Sequence, residues 1–335
     1  MYLNNTTEDH TVKVNQGLLI FKGVGIGTLM VVNWFVNTLC LVVLHRIREM
    51  NPVTKIFMFS ITITDLSTGL YGVFILTAVA KNSWPFGETL CRITGVCNST
   101  LIAGGMFSLL AVNADRYIAV TRPFHYHTLV TTRRAYIALA VLWSVAVLSG
   151  LLSHLLPGRK SVYNPVLHSC VSDPIDPDVS DIIGTAWNGI FFVLPILATL
   201  LMFLRLYLIA KDHANRIAKQ TPGGGRKTPN LKGATTFFLM TLAILSLSLP
   251  TISGFVYENL TRKQVPIAFT YVCVLLVFSY SIVNVAIYFT RNTAFKRTAQ
   301  GIVSNIFTKR VDFSSDSNVS GCSSTTKNTS VAVIS

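Results

Sequence analysis

Seven long apolar stretches, near 23–44, 54–80, 91–118, 135–156, 182–210, 232–258 and 264–289, dominate the chain. A helix crosses ~30 Å of hydrocarbon in about 20 residues, and inside lipid each backbone N–H and C=O must find its partner within the protein. Barrel strands would be about 10 residues long and would alternate in polarity. The expected fold class is therefore all-α, a seven-transmembrane helix bundle. Composition agrees: 13% of residues are charged, against roughly 25% in soluble domains, and mean hydropathy is +0.53. These values exclude a disordered chain, a disulfide-dense secreted domain and an ordinary cytosolic enzyme. No N-terminal apolar region ends in a small-residue cleavage site, so the first span is expected to act as its own insertion signal.

Charge sets the direction of insertion. With the N-terminus outside, the inner segments 45–55, 115–134, 205–232 and 291–335 carry 20 Lys+Arg against 5 Asp+Glu, while the outer segments carry 8 of each. Adding Asp65, within the second span, the balance 15 + 0 − 1 reproduces the net +14. The basic character thus belongs to loop flanks, and no basic, aromatic-interleaved module points to nucleic acid. The expected location is the plasma membrane, multi-pass, with an extracellular N-terminus. Asn4 and Asn5 open sequons in the outer tail and are candidate glycosylation sites. Asn259 opens another in an outer loop, and that of Asn98 falls inside a span. Cys91 and Cys170 are the two cysteines expected in outer segments, and their pairing would tie the second outer loop across the bundle mouth. Cys40, Cys97 and Cys273 read as small core residues.

Several landmarks fall in order on these spans: Asn37 in the first, "ITITDL" with Asp65 in the second, and "WPFGETLC" leading into the third. The third ends in "ADRYIAVTRPFHYHTLVTTRRA"; Trp143, Pro195 and Pro250 mark spans four to six, and "NVAIY" (Asn284 to Tyr288) closes the seventh. Over about 23–307 the chain resembles the rhodopsin-like (class A) G-protein-coupled receptors, with inner loops similar to those of amine receptors. The resemblance implies a receptor, not an enzyme, that passes an extracellular signal to a heterotrimeric G protein. Asp115, Arg116, Tyr117, Asn284, Tyr288, Pro250 and Pro195 would form the coupling and switch machinery. In that scheme Asp115 holds Arg116 at rest, and Arg116 meets the G protein in the active state. The resemblance makes Asp65, Ser281 and Asn284 a candidate site for an allosteric sodium ion; no other cofactor is expected. Deep acids in spans usually mark function, although a hydrogen-bonded structural Asp65 is the plainer alternative. The two prolines interrupt helical hydrogen bonding and would provide pivots.

The chain departs from the family pattern at several positions. Ser248 and Ile244 stand where a Trp and a Phe are usual in span six, so no large aromatic is available there to repack on binding. Val285 replaces a proline, which should straighten span seven, and Phe203 replaces a tyrosine that usually reaches toward Tyr288. Asn230 replaces an acid that often clamps Arg116, and Gly105 replaces a common serine ligand of sodium. These changes leave room for a receptor-like protein that couples poorly. A transporter using Asp65 is a remote alternative, because seven unlike spans and one deep acid show neither repeats nor a relay.

A concave, mostly apolar pocket under the second outer loop is the expected ligand site. Its candidate lining is Asn98, Ile102, Trp187, Asn188, Phe191, Thr251, Ile252, Phe255, Val274 and Phe278. Amine receptors place an aspartate where Asn98 stands, and a charged amine in a dry site wants that carboxylate. Opsins need a span-seven lysine where this chain has Phe278. An Arg for a fatty-acid carboxylate is likewise missing from span seven. The ligand thus stays open, with an amine-like receptor of atypical contacts as one alternative. Asp173, Asp176, Asp178 and Asp181 could steer a cation or could simply be solvated. His154 and His168 could add pH sensitivity.

The expected organisation is an outer tail (1–22), the seven-helix domain (23–290), an amphipathic membrane-surface helix (291–307) and a disordered inner tail (308–335). Phe295, Ala299, Ile302 and Ile306 lie at helical spacing among basic residues, suited to an anionic lipid surface. The Ser/Thr-rich tail is expected to meet receptor kinases and arrestin once phosphorylated.

Overall fold

The computed structural model describes residues 16–174, 189–220, 232–261 and 263–305. The spans become α1 (Gln16–Arg46), α2 (Pro52–Lys81), α3 (Gly87–Thr121), α4 (Thr132–Leu155), α5 (Leu194–Gln220), α6 (Lys232–Thr261) and α7 (Ile267–Arg291). A final helix, α8, covers 293–305. Six of these helices are long and apolar enough to cross a membrane, and the apolar part of α5 runs over Leu194–Ile209.

The helices outrun their apolar stretches. α1 has 31 residues and starts at Gln16, so part of the segment assigned to the outer tail is helical. At 1.5 Å per residue it is about 46 Å long; backbone hydrogen bonding continues past the hydrocarbon edge because nothing at that edge stops it. At its own start α2 has a defined stop signal: Asn51 Oδ1 accepts from Val53 N at 2.9 Å, with Pro52 in the first turn. Thr131 caps α4 in the same way, accepting from Arg134 N.

α3 is the axis of the bundle, packing on α2, α4, α5 and α6, while α1 closes the ring between α2 and α7. Small residues bring α3 and α4 together. A Cβ on Gly150 would lie 2.6 Å from the Val96 carbonyl oxygen, and one on Gly104 would lie 3.1 Å from the Trp143 ring. Trp143 Nε1 donates to Ser60 Oγ at 2.9 Å, and Ser60 is 2.8 Å from Ser108, so α2, α3 and α4 share one polar contact.

The prolines act differently from one another. A π-helical turn, Gly189–Val193, leads into α5 immediately before Pro195, the distortion expected where an N–H is missing. Pro250 lies inside α6, which continues through it. With Val285 in place of proline, α7 is one uninterrupted helix. The second outer loop forms an antiparallel hairpin, β1 (Arg159–Asn164) with β2 (Ser169–Pro174), which the sequence pattern did not suggest. On α8, Phe295, Ala299 and Ile302 are buried against Tyr288 and Phe237; Ile306 and the tail from 306 onward lie outside the described residues. Cys40 and Cys273 are buried as expected, but Cys97 is exposed, because it falls on the side of α3 away from its neighbours.

Gly150→Ala should lower the thermal midpoint of the purified protein. The new methyl would meet backbone that cannot move aside, and such overpacking costs about 1–3 kcal/mol. Gly301→Ala on α8, with nothing within 4 Å, should leave the midpoint unchanged or slightly higher.

Candidate functional site

At the inner end of α3, Asp115 is nearly sealed from solvent, its side chain 1% exposed against 22% for Arg116. Arg116 Nη2 and Nε donate to Asp115 Oδ2 at 2.7 and 3.1 Å. Thr54, in the first turn of α2, donates to the same oxygen at 2.7 Å and also meets Arg116 Nη2. Tyr126, on the one-turn helix Tyr126–Leu129 of the inner loop, donates to Asp115 Oδ1 at 2.6 Å. Burial, reinforced by the adjacent carboxylate, holds the Tyr126 phenol above its ordinary pKa, so it stays a donor. Both carboxylate oxygens are thus engaged from two helices and a loop. Sequence reasoning found Asp115 and Arg116 but missed Thr54 and Tyr126; the tyrosine lay within the quoted "PFHYHTL", yet only folding brings it back. Tyr117 is half-buried beside them. Asn230 lies outside the described residues.

Further along the bundle, Asn113 Nδ2 reaches Thr241 at 3.3 Å, joining α3 to α6. Phe203 stacks on Phe238 with centroids 3.4 Å apart, so the aromatic on α5 pairs with α6. Tyr288 lies 6.0 Å from Phe237 of α6, centroid to centroid, accepts from Asn292 Nδ2 at 2.9 Å and packs edge-on to Phe295. Ser248 is buried, and Ile244 packs with Met106 and Ile196 as an apolar junction of α3, α5 and α6.

At mid-depth the three expected residues converge. Ser281 Oγ donates to Asp65 Oδ1 at 2.8 Å and Asn284 Nδ2 to Oδ2 at 3.3 Å. Asn33 Nδ2 donates to the Asp65 backbone oxygen at 2.8 Å and Asn37 to Asn33 Oδ1 at 2.6 Å, extending the network to α1. Asn284 Oδ1 is buried without a partner. An orphan acceptor beside a carboxylate and a hydroxyl suits a hard cation with oxygen ligands. A Cβ on Gly105 would meet only Thr64, at 3.9–4.0 Å, so α3 contributes space there but no side-chain oxygen.

At the outer mouth, Cys91 on α3 and Cys170 on β2 are disulfide-bonded. His154 lies in the last turn of α4; it is buried, 2.9 Å from Ser161 Oγ on β1 and 3.2 Å from Ser99 Oγ on α3. His168 is also buried, in the hairpin turn. Burial first, then the Lys22 charge, lowers its pKa to about 4, which keeps the ring neutral near pH 7. Both histidines are buried, so neither is an exposed group of the kind that would add pH sensitivity. Of the expected pocket lining, Asn98 is half-buried, Ile102 is 48% exposed, and Phe191 sits edge-on to Phe107 at 6.1 Å. The Thr251 hydroxyl faces the Cys273 thiol, and Ile252 is exposed. Val274 and Phe278 pack toward Ile26, Tyr71, Ile75 and Val79, on the α1–α2 side of the bundle. Asn4, Asn5, Trp187 and Asn188, and the side chain of Phe255, lie outside the described residues.

Comparison with known proteins matches residues 36–288 to the 7 transmembrane receptor (rhodopsin family) model. The chain is 28% identical to the histamine H2 receptor of Canis lupus familiaris over 260 residues, 76% of this chain and 71% of that protein. It is 27% identical to the histamine H2 receptor of Homo sapiens, covering 64% of this chain and 59% of that protein. With melatonin receptor type 1B-B of Danio rerio it shares 22% identity over 82% of this chain and 79% of the relative. The matched span includes every helix from α2 to α6, the last third of α1 and most of α7. The chain therefore belongs to the rhodopsin family of seven-transmembrane receptors, as a multi-pass membrane signalling receptor rather than an enzyme.

Proposed function

We propose that this receptor sits in the plasma membrane with its N-terminus outside, and that an extracellular small molecule shifts its helix bundle toward a state whose inner face engages a heterotrimeric G protein. The observation that carries this reading is the closed polar cluster of Asp115, Arg116, Thr54 and Tyr126. A buried charge pair with all its partners is a discrete arrangement, and leaving one member unpaired costs about 3–5 kcal/mol. It can therefore hold a resting state that a ligand with differential affinity overcomes. Releasing Arg116 would turn a cation toward the inner surface. Beside it, Phe124 is 96% exposed at the edge of a groove of about 560 Å³ lined by Pro123, Leu129 and Ile209. An exposed aromatic next to an apolar recess suits a partner helix. Pro195, Pro250, Asn284 and Tyr288 are the pivots and the α7 element of the same switch.

The ligand would enter among Asn98, Ile102, Phe191, Thr251, Ile252, Val274 and Phe278, with Trp187, Asn188 and Phe255 as the remaining candidates. The histamine H2 receptors among the relatives favour an amine-like ligand. Asn98 argues for one whose binding does not depend on a carboxylate at that position, since an amide cannot neutralise an ammonium. Asp65, Ser281 and Asn284 would hold a sodium ion that favours the resting state. Receptor kinases and arrestin would act on the Ser/Thr-rich inner tail, and the basic face of α8 would lie on anionic lipid.

Arg116→Ala should abolish second-messenger output (cyclic AMP or calcium) at matched surface display. Full signalling by that variant would remove Arg116 from the coupling role. In the same cells, replacing sodium by a larger monovalent cation should raise ligand-free output in the wild type but leave Asp65→Asn unaffected. Equal responses in both would exclude the sodium assignment.

A further inference from the structure

The outer end of α1 holds a cation that neither the switch nor the expected ligand pocket uses. Lys22 is 0% exposed. Its Nζ donates to the backbone oxygens of Val166 and Leu167 at 2.8 and 3.0 Å, lies 3.1 Å from His168 Nδ1, and sits 4.3 Å from the centroid of the Tyr271 ring. Among the described residues, no carboxylate contacts it. Hydrogen bonds and a ring face satisfy its three protons but bring no opposite charge, so burial lowers its pKa to about 7 and the ammonium is fully charged only below that pH.

The geometry of the hairpin turn is arranged around this lysine. Asn164 Oδ1 accepts from the backbone N–H groups of Val166 and Leu167, both at 2.9 Å, which fixes the direction of the two carbonyls. His168 takes a left-handed backbone conformation, φ 57°, that a β-carbon disfavours. An ammonium can only donate, so His168 Nδ1 accepts from it, although Val166 O also lies 3.3 Å away. The ring proton is then on Nε2, and this Nε2 is buried without a partner. The hydroxyls of Tyr271 and Tyr163 are likewise buried and unpartnered. The three rings adjoin: His168 is 6.1 Å from Tyr271 and 6.4 Å from Tyr163, centroid to centroid. Burial and the neighbouring Tyr271 push the Tyr163 phenol up to about 12, so it too remains a donor.

One positive charge and three idle N–H or O–H donors, with no acid among them, make a complementary environment for a negative species. We propose that the cluster of Lys22, His168, Tyr163 and Tyr271 binds a compact monovalent anion, either a halide from the outer medium or the carboxylate of a ligand. The anion accepts from the three donors while the ammonium offsets its charge. A water molecule, with two lone pairs, could accept only two of those three hydrogen bonds and would leave the charge of Lys22 uncompensated. Because the cluster draws on α1, the hairpin turn and α7, occupancy would fasten the second outer loop to both helices and so set how tightly the bundle mouth is covered.

The test is the thermal midpoint of the full chain in lipid nanodiscs, at constant ionic strength, as methanesulfonate is exchanged for chloride or for acetate. The wild type should show a saturable rise with at least one of the two. A rise with chloride identifies a free halide as sufficient, and a rise with acetate alone identifies a carboxylate. Lys22→Met should abolish the response. Tyr271→Phe, which removes one oxygen and keeps the ring under Lys22, should raise the half-saturating concentration about tenfold, as expected for a hydrogen bond to a charged group. Identical midpoints in all three salts would overturn the proposal. So would superimposable titrations of the wild type and Tyr271→Phe, a comparison that holds even where Lys22→Met fails to fold.

Discussion

The buried carboxylate of Asp115 is the contact around which the inner half of this receptor is arranged. A charge so nearly removed from water must be met on both oxygens, and here the donors come from Arg116 beside it, from Thr54 on α2 and from Tyr126 on the inner loop. Each donor gives a net 1.5–3 kcal/mol in typical cases of bonding to a charged group (about the range of a tenfold to hundredfold equilibrium change). Together they fix the loop after α3 against α2 and keep Arg116 folded onto its neighbour. The surrounding apolar core, with Val112, Phe57, Ile61 and Met240, keeps water from the cluster and so keeps these bonds strong.

In the middle of the bundle, other side chains stand where the family usually has large aromatics. A large aromatic is absent at Ser248, and one turn earlier Ile244 packs with Met106 and Ile196 in an aliphatic junction that Tyr280 of α7 borders. Aliphatic side chains pack by volume and give the junction no hydrogen bond to break on binding. Directional contacts are placed elsewhere: Asn113 with Thr241 between α3 and α6, and Asp65 with Ser281 and Asn284 between α2 and α7. Phe203 follows the same logic, since without a hydroxyl it cannot bridge to Tyr288 and instead stacks on Phe238. Ligand-driven motion in this chain would therefore be resisted mainly by polar contacts at two depths.

Much of this arrangement is legible in the sequence because a bilayer permits so few structures. Apolar length gives the helices, and charge asymmetry gives the direction expected for them. Asp65 drew attention as a lone deep acid, and the residues that meet it were identifiable from their order on α7. What escaped is contact made by chain reversal. Tyr126 reaches Asp115 only because the inner loop turns through Pro123–His125, and nothing in its local pattern marks it. Lys22 counted as an outer-segment charge, yet it is buried, since the hairpin β1–β2 folds over the end of α1 and lays two carbonyls on it. Hairpin pairing depends on register with a distant segment, which periodicity does not carry. Cys97 misled for a related reason: a small apolar residue in a membrane helix suits the interior and the periphery equally, and only the packing of α3 decides between them.

The most direct test of this account is the rate of ligand-free nucleotide exchange on a G protein driven by Tyr126→Phe and Thr54→Val at matched receptor density. Both substitutions keep the side chain's volume; Tyr126→Phe removes one donor from Asp115 and no hydrogen bond of Arg116, whereas Thr54→Val removes another donor together with the Thr54 contact of Arg116. If the polar cluster holds the resting state, both variants should exchange nucleotide several-fold faster than the wild type. Rates at or below that of the wild type in both would show that Asp115 does not hold the receptor at rest.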